Sequence, residues 1–198
     1  MRNVLALDHP SDFAASDSPL LTRKASMPDI HPLLTLINGY AAQGIMLPRT
    51  EFEMSENIRD FTLAFSGQRL VGCGALHFYS PTSGEVRSLA VDPAVKSRGV
   101  GRAIVEALEG EAREYQLHSI FAFTYVSGFF GKLGFAEVER GELPLKAWKD
   151  CLRCPKFQNC DETAVVKYLV PGHVRESDAE PDGFVQLPVL RVLPSVRG

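Results

Sequence analysis

Val86–Arg102, VRSLAVDPAVKSRGVGR, carries the strongest fold signal in the chain. A strand-like run ends at Asp92-Pro93, a glycine-bearing turn follows, and a helix begins. From Gly101 to Tyr115 the apolar residues Ala103, Ile104, Ala107, Leu108, Ala112 and Tyr115 fall on one helical face. A turn such as Lys96-Ser97-Arg98-Gly99-Val100-Gly101 presents successive backbone N–H groups at the positive end of that helix. The arrangement cradles a pyrophosphate without needing any particular side chain. The glycines let a phosphate approach closely, and Lys96, Arg98 and Arg102 add positive charge. A bare Gly-x-Gly is as compatible with an ordinary strand–helix connection. Here the preceding LAVDP and the amphipathic helix behind it disfavour that alternative.

Outward from this segment the periodicity predicts the rest of an α/β domain. Upstream, Phe61–Phe65 and Leu70–Phe78 read as strands joined at Ser66-Gly67-Gln68, and Glu85–Val91 continues them after a turn at 81–84, an antiparallel meander. Before them come a short strand at Leu21–Lys24, a helix from Pro28-Asp29 with Ile30, Leu33, Leu34 and Ile37 on one face, and a short helix over Glu51–Asn57. Downstream, Ser119–Thr124 is a buried-strand run reached by a helical crossover, which predicts parallel pairing with the strand before it. Val126–Leu133 reads as a short helix stopped by Gly134. Phe135–Glu139 and Thr163–Leu169 read as strands flanking a polar, cysteine-bearing insertion. The expected organisation is a flexible tail over 1–19, one domain over 20–170 with the insertion at 140–162, and a tail over 171–198.

The 198 residues suit one domain with tails, at roughly 100–200 residues per domain. With 45% hydrophobic residues and 23% charged, the chain can bury a core as an ordinary globular protein does. A net charge of −3 argues against nucleic-acid or polybasic membrane partners. No apolar run reaches the length of about 18 residues that a membrane helix needs. The first twenty residues lack a signal-peptide core, so the cytoplasm is the expected compartment.

The stretch LAVDPAVKSRGVGRAIV closely resembles motif A of the GNAT (Gcn5-related) N-acetyltransferases, with Lys96 in a position that is commonly Gln or Arg. FFGKLGF at Phe129–Phe135 resembles the family's FYxKxGF segment, and TRKASMPDI resembles its first strand and helix start. The resemblance implies a GNAT-like mixed, mostly antiparallel sheet flanked by helices. It implies acetyl-CoA as co-substrate, with pyrophosphate on the Val95–Arg102 loop (Lys96, Ser97, Arg98, Gly99, Val100, Gly101 and Arg102), the pantetheine arm along the backbone of Leu89, Ala90 and Val91, and Phe130 beside the cofactor. Lys132 is expected near CoA rather than in the chemistry.

Within the family, AAQGIMLPR at Ala41–Arg49, GCGALH at Gly72–His77 and Glu142-Leu143-Pro144 resemble the short, stand-alone N-acetylglutamate synthases of bacterial arginine biosynthesis. That resemblance implies an amino-acid N-acetyltransferase acting on the α-amine of L-glutamate. Its expected partner is a small amino acid, with a homodimer left open. An ammonium must lose a proton before it attacks a thioester, and Glu85, at the head of the strand into motif A, is the candidate base. Many family members use the Tyr of FYxKxGF as the acid, and this chain has Phe130 there. Thr124 and Tyr125 are the substitutes for supporting the departing thiolate. Arg49 matches a substrate-binding Arg of the family, and Arg87 lies two residues after Glu85 on the same strand face. As cations that can pair bidentately, the two suit a dicarboxylate. Surface ion pairs are the alternative for both arginines, an exposed strand-edge acid for Glu85, and a structural role for His77. Other acceptors, including a protein N-terminus, and a non-catalytic acyl-CoA-binding module are the competing functions.

Cys151, Cys154 and Cys160 crowd into a C-x2-C-x5-C cluster, which in a chain without a signal peptide points to metal, redox chemistry or reduced thiols. A structural zinc takes four ligands. With these three, Cys73, His77 or His118 is the candidate fourth.

Overall fold

The computed structural model describes residues 19–96, 98–143 and 154–170. Ser97, residues 144–153 with Cys151, all but the last residue of the expected tail over 1–19, and the expected tail over 171–198 lie outside the described residues. The chain begins with β1 (Leu20–Lys24), a 3-10 turn at Met27–Asp29, α1 (Ile30–Ala41) and α2 (Glu51–Asn57). The sequence predicts the first helix from Pro28-Asp29. Its true α-helical stretch starts at Ile30, because the Asp29 carboxylate turns back to accept from the Ser26 backbone N–H at 2.8 Å and from Arg23. Next come β2 (Phe61–Ser66), β3 (Arg69–Phe78) and β4 (Ser83–Val91), then α3 (Val100–Glu114) and β5 (Ser119–Thr124). The described chain closes with α4 (Ser127–Gly131), β6 (Ala136–Val138) and β7 (Thr163–Tyr168).

The strands of the described residues form one sheet in the order β1-β2-β3-β4-β5-β7-β6. β4 and β5 are parallel, as the helical crossover requires, and every other neighbouring pair is antiparallel. The last strand returns between β5 and β6, so β6 lies on the edge.

Alternation along the strands builds two large cores, with a third, smaller cluster of Tyr79, Phe121, Leu143, Ala164 and Val166. Leu33, Ile37, Met54, Leu63, Cys73 and Ala75 pack under α1 and α2. Ile104, Val105, Leu108, Leu76, Val86 and Ile120 pack under α3. Gly72 and Gly74 let α3 close on the sheet: a Cβ on Gly72 would lie 2.8 Å from Val100 Cγ1, and one on Gly74 would lie 2.8 Å from Ile104 Cγ2. The helix that carries the phosphate-type turn is thereby seated directly over β3 and β4.

Candidate active site

The site begins where β4 and β5 part. Their parallel ladder holds only from Ser83↔Ser119 to Glu85↔Phe121, while β4 runs on to Val91 and β5 to Thr124. A β-bulge reinforces the divergence. Cys73 pairs with Ala90 but Ala75 with Arg87, so β4 carries one extra residue. Ser88 there has φ 53°, a left-handed conformation uncommon for a residue with a side chain. The Cys73 thiol donates to the Ser88 carbonyl at 3.7 Å, and burial pushes that thiol up to about 12. Cys73 is a core residue that braces the bulge.

Into the gap opens a cavity of about 440 Å³, lined by Glu85–Leu89 of β4, Phe123–Val126 and Phe130. The loop from Gly44 to Arg49 covers one side, and Arg140, Cys154–Lys156, Cys160 and Glu162 form another. The chain thus brings Glu85, Arg49, Arg87, Thr124, Tyr125 and Phe130 to one cavity.

Glu85 is buried, 8% exposed, at the end of the parallel ladder. Arg87 shares its face and reaches Asp60 at 3.6 Å and Asn57 Oδ1 at 3.5 Å. Asp60 is also held by His77 Nδ1 at 2.6 Å, so the histidine belongs to the support behind Arg87. Arg49 is positioned through its backbone. The Asn38 side chain of α1 accepts from the Arg49 N–H at 2.9 Å and donates to its carbonyl at 3.0 Å. Thr124 is buried, and its Oγ1 accepts from the Val126 N–H at 3.0 Å, which leaves its own proton to donate. The Tyr125 hydroxyl instead donates to Asp161 Oδ1 at 3.0 Å and accepts from Lys156 Nζ at 3.0 Å. Phe130 packs edge-on against Phe129 and Phe135 and brings no polar atom to the cavity.

Beyond the bulge, the end of β4 leads to the turn and α3. Gly99 is the N-cap residue at φ 82°, the left-handed conformation that glycine adopts without a Cβ penalty. No side chain among the described residues caps the helix, so its first N–H groups stay available at the positive end. Gly101 lies against Phe129, where a Cβ would come within 3.2 Å. Arg98 is exposed, Arg102 pairs with Glu106 at 3.4 Å, and the Lys96 ammonium sits 5.3 Å above the Tyr40 ring. The Tyr40 hydroxyl donates to the Val91 carbonyl at 2.5 Å, a contact on the expected pantetheine strand that no motif signalled.

A model of the acetyltransferase (GNAT) family matches residues 28–135, more than half of the chain. The chain belongs to the GNAT acetyltransferase family. It is an acyltransferase enzyme, and its mostly antiparallel sheet with the parted β4–β5 pair is the GNAT fold. A Chlorobaculum tepidum protein named as an uncharacterized N-acetyltransferase is 40% identical over 147 residues, covering 74% of this chain and 95% of that one. A Mycobacterium tuberculosis amino-acid acetyltransferase is 36% identical over 122 residues, 60% of this chain and 70% of that one. Among solved structures, the Neisseria gonorrhoeae N-acetylglutamate synthase complexed with coenzyme A and N-acetyl-glutamate superposes with a TM-score of 0.70 at 26% identity. That match covers 78% of this chain and 36% of the synthase, so the GNAT chain described here spans about a third of it.

The cysteine segment differs from a zinc ligand set in what is described of it. Cys154 and Cys160 are free thiols on the cavity wall, and Cys151 lies outside the described residues. Among the described residues no three His, Cys, Asp or Glu side chains gather as metal ligands. The proposed fourth ligands sit elsewhere: Cys73 in the core, His77 on Asp60, and His118 beyond the opposite end of β5 from the cavity. The segment is held by charged side chains instead. Arg140 Nη2 donates to the carbonyls of Cys160, at 3.1 Å, and Glu162. Lys156 pairs with Asp161 at 3.1 Å and lies 4.9 Å above the Tyr125 ring. Arg140, Lys156 and Glu162 carry no motif. Only the return of β7 beside β5 brings them to the site. No helix among the described residues is long and apolar enough to cross a membrane.

Proposed function

We propose that this GNAT enzyme transfers the acetyl group of acetyl-CoA to the α-amine of L-glutamate, a step of arginine biosynthesis. The observation that carries the reading is the cavity itself. A buried carboxylate, Glu85, and two guanidinium groups, Arg49 and Arg87, line one space of about 440 Å³ at the parting of β4 and β5. A dicarboxylic amino acid needs both kinds of group. The relatives support it, one being an amino-acid acetyltransferase and another a synthase solved with coenzyme A and N-acetyl-glutamate.

The residues present suit acetyl-CoA. The uncapped N-terminus of α3 behind Gly99, with Lys96, Arg98 and Arg102, would take the pyrophosphate. The pantetheine arm would lie along Leu89–Val91, where the Val91 carbonyl is already given to Tyr40. The acceptor ammonium passes a proton to Glu85, directly or through water, and the neutral amine attacks the thioester carbonyl. A C–N bond forms, the C–S bond breaks, and the departing thiolate takes up the second proton that the acetylated nitrogen sheds. Thr124 supports it by donating a hydrogen bond. Tyr125 is the weaker candidate for this role because its proton is already directed to Asp161.

The test is acetyl transfer from acetyl-CoA followed by mass spectrometry, with each of the twenty amino acids offered separately. Selective formation of N-acetylglutamate is expected. Acetylation of another amino acid in preference to glutamate would overturn the acceptor assignment.

A further inference from the structure

Glu162 stands one residue before β7, whose first ladder pair is Thr163↔Thr124, and it lines the cavity together with Thr124 and Tyr125. It is half-buried, and burial pushes its carboxyl above the usual range, against an opposing pull from the Arg140 charge. Its hydrogen-bond donor among the described residues is the Cys160 thiol, 3.8 Å from Oε2. A thiol is a weak donor.

The cations nearby are committed elsewhere. Arg140 Nη2 donates to backbone carbonyls, and Lys156 Nζ serves Asp161 and Tyr125. The other charged or titratable groups facing the cavity are Glu85 and Arg87 on β4, Arg49 on the loop before α2, and Cys154. A desolvated carboxylate with so weak a partner is costly to maintain. An ammonium entering the cavity would supply a far stronger donor than the thiol, adding its charge to those of Arg140 and Lys156 that already act on Glu162.

We propose that Glu162 binds the ammonium of the acceptor. The inference rests on the reading of this cavity as the acceptor site, and it adds a second carboxylate to that site. The two acids then divide the work: Glu162 seats the ammonium, and one of its protons passes to Glu85 before attack.

The experiment is steady-state kinetics of the full chain as wild type, Glu162→Gln and Glu162→Asp, with acetyl-CoA and L-glutamate. Glutarate, the same dicarboxylate without the amine, serves as competitive inhibitor. In Glu162→Gln the KM for glutamate rises about ten- to a hundredfold, the loss expected for one hydrogen bond to a charged group. The KM for acetyl-CoA and the Ki for glutarate stay unchanged, and Glu162→Asp recovers part of the affinity.

An unchanged glutamate KM in Glu162→Gln overturns the assignment. So does a glutarate Ki that weakens in parallel, since that marks a wall residue whose loss deforms the cavity. A shifted acetyl-CoA KM would reveal a folding defect, and Glu162→Asp then decides by the same glutamate-to-glutarate comparison. If the wild type acetylates a different amino acid, the glutamate reading has failed by itself. The Glu162 assignment is then read from that amino acid and its deaminated counterpart.

Discussion

Glu85 sits at the last rung of the β4–β5 ladder, 8% exposed, where a carboxylate reaches the cavity while its backbone remains held by the sheet. Removing its charge without its shape should therefore separate chemistry from folding. Glu85→Gln is expected to lower kcat by about 10²- to 10⁴-fold, the usual range for loss of a general base. The KM for acetyl-CoA should hold, because the phosphate turn lies at the other end of β4. Turnover at the wild-type level in stopped-time mass spectrometry would remove Glu85 from the mechanism. Cysteine reactivity is set residue by residue as well. Cys73 is fully buried with its thiol pushed up to about 12, whereas Cys154 and Cys160 are half-buried on the cavity wall. Iodoacetamide should label Cys154 and Cys160 in the native protein and Cys73 only on unfolding. Peptide mapping with and without glutamate should show the two cavity thiols protected by the acceptor.

At the scale of elements, α3 is the helix proposed to hold the pyrophosphate, and glycines in β3 let it close on the sheet. A methyl on Gly74 would meet the Ile104 Cγ2 branch at 2.8 Å, with Leu108 and Leu89 each at 3.3 Å. A branch fixed to Cβ inside a packed core has little room to yield. Gly74→Ala should cost about 1–3 kcal/mol in urea unfolding and raise the KM for acetyl-CoA as the helix end is displaced. The far half of α3 is tied to β7 by Lys167, whose ammonium lies 2.6 Å from Glu109 and 2.8 Å from the Leu133 carbonyl. Burial pushes the Glu109 carboxyl up, but Lys167 and Arg113 more than offset it, and the net shift is downward. A carboxyl depressed in the folded state adds stability above its unfolded pKa and loses it as pH falls through the folded value. Stability should therefore fall on acidification below the ordinary carboxylate range. Glu109→Gln should flatten that limb in urea titrations at stepped pH.

Over the whole molecule, the site is assembled from segments far apart in the chain. The α1–α2 loop brings Arg49, β4 brings Glu85 and Arg87, β5 brings Thr124, and the return to β7 brings Arg140, Lys156 and Glu162. The cysteine segment serves here as a cavity wall. Lys156 and Asp161 fasten it to Tyr125, and Arg140 fastens its backbone. That fastening explains why Tyr125, read from its position beside Thr124 as a second support for the thiolate, has its hydroxyl already occupied.

What sequence alone determined is what neighbouring residues decide among themselves. The glycine-bearing turn, the amphipathic face of α3 and the alternation of β2 to β4 all depend on local backbone preference and side-chain period, so the turn, the helix and the meander are legible in the sequence. The parallel partner of β4 followed from the right-handed crossover that a helix imposes. Tertiary structure alone decided that β7 would slot between β5 and β6, that Asp60 would stand behind Arg87, and that Tyr40 would take the Val91 carbonyl. It also decided that Glu162 would line the cavity between β4 and β5, although nothing in its neighbourhood marks it. These contacts join residues brought together by strand return and helix packing. Their energies arise from burial and charge in a shared space, which no local spacing encodes.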